Sequence, residues 1–464
     1  MWGMLMNVLT AITTGIIVYY LLLSFWYTVL LILSFPEVIK KFRAIQYGDA
    51  DKLINENSLV PLTVVTAVFN EEKEVLNMIY SILNSEYKNT KLILVNDGST
   101  DNTMEVLKEE LTLYEIPLVI KQTIKTERVK HCYQSKRFEN IMVIDKEHSP
   151  YNCGADSLNA GLNACKTPFI VTIDADTIVE PEALTRMLFT ILTTPHCVMV
   201  SGSIYVLNEN IVDQGKMITA ELPKSFLTSV QSVEYLRSFL YGRAGLNALG
   251  GAMCYPSAFT MFETEALREI DGYDTPNFSY DSEVTLKMHH YMSKKNYPHN
   301  MNHTPNAFSW TDVPSTYKGY WKQRNFWQRG MLRSLQSHIG MLFNPRYGIV
   351  GLLSFPAYVL FEVGGALIEF TSMILVFVLY FLGIVDFRFF IWFIMLALGF
   401  IVFISTAMVF LNQITFNKYN KKTDILRVIL LVSAEMCGFR QFRALCCTVA
   451  TVQYVINRFR GKPL

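Results

Sequence analysis

Apolar and polar positions divide the chain into three stretches. From about Val8 to Phe35 no residue is charged, and the run exceeds the roughly 20 residues that a bilayer crossing needs. It is too long for a signal peptide, lacks a basic start and ends in no small-residue cleavage site, so it predicts a transmembrane helix within residues 1–36. Lys40, Lys41, Arg43 and Lys52 follow in a linker over 37–60, which by the positive-inside rule places the next stretch in the cytoplasm. From Pro61 short β-branched runs alternate with amphipathic ones. Leu62–Phe69, Lys91–Asn96, Ile141–Asp145 and Phe169–Ile173 read as strands, and helices begin at Asn70, after the Asp97-Gly98-Ser99 turn and at Ala155. Such alternation predicts an α/β domain with a mostly parallel sheet over 61–312. Ser309–Leu335 mixes Trp321, Phe326 and Trp327 with Lys322, Arg324, Arg329 and Arg333, a pattern for amphipathic helices lying at a membrane interface over 313–345. Beyond it, Gly351–Leu382 and Phe389–Leu411 each cover a bilayer, and the basic run Lys418–Lys422 returns the chain to the cytoplasmic side. The last stretch is interrupted by Glu435, Arg440 and Arg443. It fits two shorter segments better than one kinked crossing, closing a transmembrane region over 346–464.

Composition agrees with that division. A chain of 464 residues with 51% apolar and 13% aromatic content is too apolar for an ordinary soluble enzyme. A formal net charge of +1 gives no reason to expect nucleic-acid binding. Eight cysteines with no CxxC pair indicate reduced, cytosol-facing thiols rather than a disulfide framework. His299 and His303 are the one spacing that could suggest a metal pair, and in their polar, Asn-rich surroundings they read as solvated loop residues.

The chemistry concentrates where strands end. After Phe169–Ile173 the chain places Asp174 and Asp176, alternate residues that can point the same way, before Pro181 opens a helix. Two carboxylates so placed suit Mg²⁺ or Mn²⁺, which take oxygen ligands and complete their shell with substrate phosphates. Asn70, at the end of the first strand, and Asp97, in the tight Asp97-Gly98-Ser99 turn, lie at the same edge, where open α/β sheets bind ligands. Further on, Asp281 and Glu283 begin a helix, where carboxylates also serve simply as favourable charges at its positive end.

In order and spacing, TAVFNEE, VNDGSTD, ADSLNAG and IDADT resemble the inverting family 2 glycosyltransferases, whose GT-A fold binds a nucleotide sugar through a divalent metal. The segment GGAMCYPSAFTMFETEALREIDGYD and the later QRNFWQRG are similar to the membrane-embedded, processive cellulose, hyaluronan and poly-N-acetylglucosamine synthases. The resemblance implies that Asn70, Glu71, Asp97, Asp174 and Asp176 bind the UDP-sugar donor, the last two through the metal. It implies that Asp281 is the general base for the acceptor hydroxyl, with Glu283 in support. It also implies that Gln323, Arg324, Trp327 and Arg329 border the acceptor end and the diphosphate.

Three positions depart from the family pattern. Tyr280 stands where a Glu precedes the base. Phe326 occupies the Arg position of the Gln-x-x-Arg-Trp motif, leaving Arg324 or Arg329 to replace a phosphate-compatible fork. Cys153-Gly154 precede Ala155-Asp156 where relatives carry Gly-Lys. The expected function is a multi-pass plasma-membrane synthase that extends, and passes through the bilayer, a β-linked polysaccharide, with UDP-glucose or UDP-N-acetylglucosamine as donor. Glu362 and Glu369 lie inside an expected membrane span, where carboxylates normally face a cavity or a partner; Glu362 either lines a polar path for the product or snorkels to the interface. A single-transfer enzyme acting on a lipid, and a binding subunit without turnover, are the alternatives. Secretion or assembly partners are not named by the sequence.

Overall fold

The computed structural model describes residues 2–46, 60–117, 120–151, 154–277, 279–418 and 422–461. Lys52 and most of the 37–60 linker, Cys153, and residues 419–421 of the basic run lie outside the described residues. Twelve strands are described. They are β1 (Leu62–Val68), β2 (Thr90–Asn96), β3 (Leu113–Ile116), β4 (Val129–Ser135), β5 (Ile141–Lys146) and β6 (Phe169–Ile173). The chain continues with β7 (Ile178–Val179), β8 (Cys197–Val206), β9 (Val212–Asp213), β10 (Lys216–Met217), β11 (Phe259–Glu263) and β12 (Asn300–Thr311). Ten of them form one sheet in the order β3-β4-β5-β2-β1-β6-β11-β8-β12-β7, and β9 pairs only with β10.

The expected strands form where the β-branched runs lie, and their centre is parallel. β1 pairs with β2 and β6, β2 with β5, and β8 with β12 in parallel. The sheet as a whole is mixed, which corrects the mostly parallel expectation. β11 is antiparallel to both β6 and β8, β4 to β3 and β5, and β7 to β12. The reason lies in the connection into β11. Phe259 pairs with Ile173, so the strand begins at the edge where β6 ends, and no crossover helix returns the chain to the other edge.

A second correction concerns the histidines. Asn300–Thr311 is a strand rather than a loop, and His303 is buried with Nδ1 3.1 Å from the Ser201 carbonyl oxygen. The polar residues there find partners inside the protein: His303 N donates to Asn247 Oδ1 at 2.7 Å, and Thr304 Oγ1 to Thr190 Oγ1 at 2.9 Å. His299 precedes the strand, with Nε2 3.1 Å from His289 Nδ1.

Two apolar layers cover the sheet. One collects Val64, Met78, Leu92 and Leu188, the other Val65, Val95, Leu158 and Phe262. The helix Ala155–Ala164 lies so close on β1 that a Cβ at Gly161 would stand 2.2 Å from Val65 Cγ1. A third apolar cluster joins this domain to the flanking helices: Trp26, Leu30 and Val38 pack with Tyr205, Trp310, Ile404 and Met408.

The N-terminal helix spans Trp2–Gln46. It and the helical stretch Val350–Phe381 are, among the described residues, the two that are long and apolar enough to cross a membrane. Phe387–Ile394 runs through a π-helical Met395–Gly399 into the apolar Phe400–Thr415. Lys422–Ala434 and Arg440–Phe459 meet at a break where Cys437 and Gly438 leave helical backbone angles, Gly438 with φ +110°. At that position only glycine adopts the backbone readily. The amphipathic helix is Tyr317–Ser337, started by Thr316, whose hydroxyl accepts from Gly319 N at 3.1 Å.

Candidate active site

Parallel strands β1, β2, β5 and β6 end together, and their first residues beyond the sheet form the floor of the site. Asn70 adopts a left-handed backbone (φ +57°). Its Oδ1 accepts from Thr100 N at 2.8 Å, tying the turn after β2 to the end of β1. Asp97, in that turn, pairs with the fully buried Lys146 at the end of β5 and lies 2.9 Å from His148 Nδ1. Ser149 N donates to its Oδ1 at 3.2 Å. Lys146 also pairs with Asp156, 2.9 Å away. The His148 ring stacks on Phe69 with centroids 4.5 Å apart, so an aromatic platform stands beside the Asp97 carboxylate.

Asp174 and Asp176 leave β6 on either side of the buried Ala175. Thr311, the last residue of β12, donates to Asp176 Oδ1 at 3.0 Å and Thr177 at 3.3 Å, which orients that carboxylate. Among the described residues no lysine or arginine forms an ion pair with Asp174 or Asp176, and no group of three or more His, Cys, Asp or Glu is arranged to enclose a metal. An uncompensated carboxylate pair of this kind fits a hard divalent cation that takes its remaining ligands from a diphosphate and water. Burial pushes both carboxyls up, Asp174 further through the charges of Asp176, Asp281 and Glu71. Burial and then Asp176 also push Glu71 up to about 7 and Asp312 up to about 6.

These shifts have a sign that can be checked. A carboxyl whose pKa is raised on folding adds stability below its ordinary pKa, and that stability is lost as pH climbs through the folded value. Without divalent cation the protein is therefore expected to melt a few degrees lower near pH 8 than near pH 5, by the usual relation of stability to midpoint. Mn²⁺ or Mg²⁺ should raise the midpoint at pH 8 and much less at pH 5, in calorimetry or dye-free thermal unfolding. Equal midpoints at both values would contradict this arrangement of charges.

Asp281, in the first turn of the helix Tyr280–Lys295, lines the same cavity as the carboxylate pair. Its Oδ1 accepts from Ser282 N at 2.8 Å and Ser279 Oγ at 3.0 Å, and the Cys254 thiol lies 3.9 Å from Oδ2. Burial raises its pKa, opposed by those hydrogen bonds and by the nearby Arg243. Glu283 points elsewhere: it is buried and its Oε1 lies 3.2 Å from His338 Nε2. It braces the helix against the amphipathic one and does not line the site. Tyr280 packs edge-on against Tyr273 with centroids 5.6 Å apart. Its hydroxyl lies close over Gly154, 3.0 Å from where a Cβ would stand there.

The amphipathic helix closes the other wall. Gln323, Arg324, Phe326 and Trp327 line the same cavity, and Arg329 does not. Arg324 is buried and committed to Glu234, 2.8 Å away, with its guanidinium 4.5 Å from the Trp327 ring centroid and 4.7 Å from that of Tyr320. Glu234 is a residue that the sequence reading passed over. Its signal is a lone carboxylate on the apolar face of the helix Phe226–Leu236.

The cavity extends well past these groups. About 580 Å³ in volume, it runs from Asp174, Asp176 and Asp281 to Tyr19, Trp26 and Tyr27 of the N-terminal helix and to Glu362 of the second long apolar stretch. Ion pairs brace its far walls: Arg237 with Glu435 at 2.6 Å, Arg440 with Glu369 at 2.8 Å, and Arg443 with Glu234 at 3.5 Å.

The poly-beta-1,6-N-acetyl-D-glucosamine synthase of Staphylococcus epidermidis is 25% identical over 270 residues, 58% of this chain and 54% of the relative. That of Staphylococcus aureus strain COL is 24% identical over 277 residues, 60% of this chain and 56% of the relative. The matches thus span about half the length of these curated relatives. Among solved structures, the mannosyltransferase PcManGT from Pyrobaculum calidifontis, in complex with GDP-Man and Mn2+, superposes with a TM-score of 0.50 at 14% identity, over 88% of this chain and 99% of that one. At that identity the likeness is one of fold. The description "Glycosyltransferase like family 2" matches residues 60–330. That stretch is more than half of the chain and contains every strand end described above, and the protein belongs to glycosyltransferase family 2.

Proposed function

We propose that the protein is an inverting, metal-dependent membrane synthase that lengthens a β-linked polysaccharide from a UDP-sugar. The observation that carries this reading is the single cavity that joins Asp174, Asp176 and Asp281 to the apolar helices. A soluble single-transfer site would have no use for a continuation among such helices. The names of the relatives favour N-acetylglucosamine as the sugar, with glucose next.

In this reading the His148–Phe69 platform and Asp97 receive the nucleoside, and Asp174 and Asp176 are the residues that would hold Mg²⁺ or Mn²⁺ beside the diphosphate. The cation, when bound, offsets the negative charge that gathers on the departing UDP. Asp281 takes the proton from the acceptor hydroxyl, whose oxygen attacks the anomeric carbon from the side opposite the diphosphate. One displacement of this kind inverts the anomeric configuration. The raised pKa of Asp281 suits a base that must capture a proton from an alcohol. Trp327, 39% exposed at the cavity wall, offers a face on which the terminal sugar of the acceptor can stack. Arg324 acts through Glu234 and holds Trp327 in place. Residues 61–312 form the catalytic domain on the cytoplasmic side, 313–345 the interfacial segment, and the helices of 1–36 and 346–464 carry the polymer across the bilayer.

The test is UDP release by the purified protein in nanodiscs. UDP-N-acetylglucosamine, UDP-glucose, UDP-glucuronate and UDP-galactose are each offered with Mg²⁺ or Mn²⁺. The expected result is turnover on one neutral sugar with a high-molecular-weight product, abolished by EDTA. A short lipid-linked product would establish single transfer instead. Absence of turnover by a folded protein that binds UDP would overturn the synthase reading.

A further inference from the structure

Two of the three departures from the family pattern meet in space. Gly154 stands where relatives carry Lys, and Tyr280 stands where they carry Glu. A Cβ at Gly154 would lie 3.0 Å from the Tyr280 hydroxyl oxygen, 3.7 Å from Tyr280 Cζ and 3.4 Å from Ala67 Cβ. The backbone at 154 has φ −67° and ψ −11°, angles open to any residue, so conformation does not call for glycine there. The phenol does. A lysine, whose side chain continues past Cβ, would have to push the hydroxyl aside.

The phenol is not easily pushed. The Tyr280 ring stands edge-on to Tyr273, with centroids 5.6 Å apart and 87° between planes. Tyr273 is itself clamped by Asn159, which accepts from Tyr273 N at 2.8 Å and donates to its carbonyl oxygen at 2.9 Å. Asn159 lies on the helix Ala155–Ala164, the one that Gly154 precedes. Ring, clamp and glycine thus form one unit at the start of that helix, beside Ala67 of β1. Two residues on, Asp156 pairs with Lys146, which also holds Asp97. On the other side Tyr280 lines the cavity with Asp174, Asp176 and its chain neighbour Asp281. Ligands of open α/β sheets bind along this edge. What the position offers them is a neutral hydroxyl on a fixed ring. A nucleotide sugar presents oxygens to it, on the diphosphate and on the sugar; a lipid tail presents none.

We propose that Gly154 and Tyr280 form one coupled position, in which a phenol replaces the Lys and Glu of the family pattern, and that Tyr280 hydrogen-bonds the sugar diphosphate of the donor. Lys and Glu together carry no net charge, and neither do Gly and Tyr. Half of the exchange is worse than none. Lysine alone collides with the phenol. Glutamate alone sets another carboxylate beside Asp281, in a cavity that already holds Asp174 and Asp176. The inference rests on reading the cavity as a UDP-sugar site, and its test separates the two.

Calorimetry with UDP, and with the UDP-sugar that binds most tightly, reads the contact. Tyr280→Phe keeps the ring and is expected to weaken the UDP-sugar by at least about threefold, the worth of one hydrogen bond. An equal loss for UDP assigns the contact to the diphosphate, and an unchanged UDP affinity assigns it to the sugar. Tyr280→Glu should weaken both ligands by about tenfold or more, through like charge. Gly154→Lys combined with Tyr280→Glu should recover most of that loss. Without ligand, the double variant should also melt above the midpoint given by adding the two single shifts. Unchanged affinities in Tyr280→Phe would overturn the proposal, as would additive midpoints with no recovery in the double variant. A wild-type protein that binds neither UDP nor any UDP-sugar would overturn the donor reading and the Tyr280 contact with it. Non-additive midpoints in that protein would still establish the coupling of 154 with 280.

Discussion

Replacement of Asp281 by asparagine is expected to lower turnover by about 10²–10⁴-fold, the usual range for loss of a general base, while leaving donor affinity within about twofold. Asparagine is nearly isosteric, and its Oδ1 can still accept from Ser282 N and Ser279 Oγ, so the first turn of its helix stays as it is. What disappears is the capacity to take a proton. The carboxylate pair on the donor side is not altered. UDP release and calorimetric donor binding, measured on the same preparation, distinguish this from a folding defect. Turnover within tenfold of wild type would remove Asp281 from the reaction. The pH profile adds a second check. Burial raises the Asp281 pKa, so the acid limb of kcat should lie above the ordinary carboxylate range, with activity rising as the base ionises.

The second large effect concerns stability. Lys146 is fully buried between Asp97 and Asp156. Lys146→Met would leave two carboxylates facing each other away from water with no cation between them. Removing one partner of a buried ion pair typically costs about 3–5 kcal/mol. The unfolding midpoint should fall markedly, and UDP affinity with it, because Asp97 loses the group that orients it. Adding Asp156→Asn removes one of the stranded charges and should recover part of the midpoint. A Lys146→Met protein as stable as wild type would mean that the ion cluster contributes little to holding the floor of the site.

Much of the site was legible because it sits where strands end. A β-branched run followed by a short polar residue marks both a strand and the edge at which it stops, so Asn70, Asp97, Asp174 and Asp176 could be gathered before any coordinates. Asp281 was singled out by family likeness, and it lines one cavity with Asp174 and Asp176. Strand direction was not legible. Apolar runs such as Val198–Val200 and Phe259–Phe262 look the same in either sense, and only the path of the chain between them decides it. The β3–β4 ribbon escaped notice because its half-exposed edge carries Tyr, Glu, His and Gln rather than a clean alternation. Arg324 illustrates another limit. Its place in the motif suggested a fork toward the diphosphate, but a guanidinium goes to the nearest carboxylate, and Glu234 lies 90 positions away in the chain. Long-range ion pairs of this kind, with Lys146 and Arg237 as further cases, leave no periodic trace in sequence.

The contact between the N-terminal helix and Gly245 bears on the order of events during synthesis. A Cβ at Gly245 would stand 2.8 Å from the Leu30 carbonyl oxygen, so the two helices meet backbone to backbone. Leu30 leaves the ribosome more than two hundred residues before its counterpart, an interval of about 10–40 s at ordinary elongation rates. On the membrane reading proposed above, the first helix has for that time to persist in lipid with its aromatic face uncovered. A helix with polar residues along that face would suit the finished protein and serve poorly while waiting. The absence of charge from Val8 to Phe35 therefore meets a demand of biogenesis as well as one of the completed cavity.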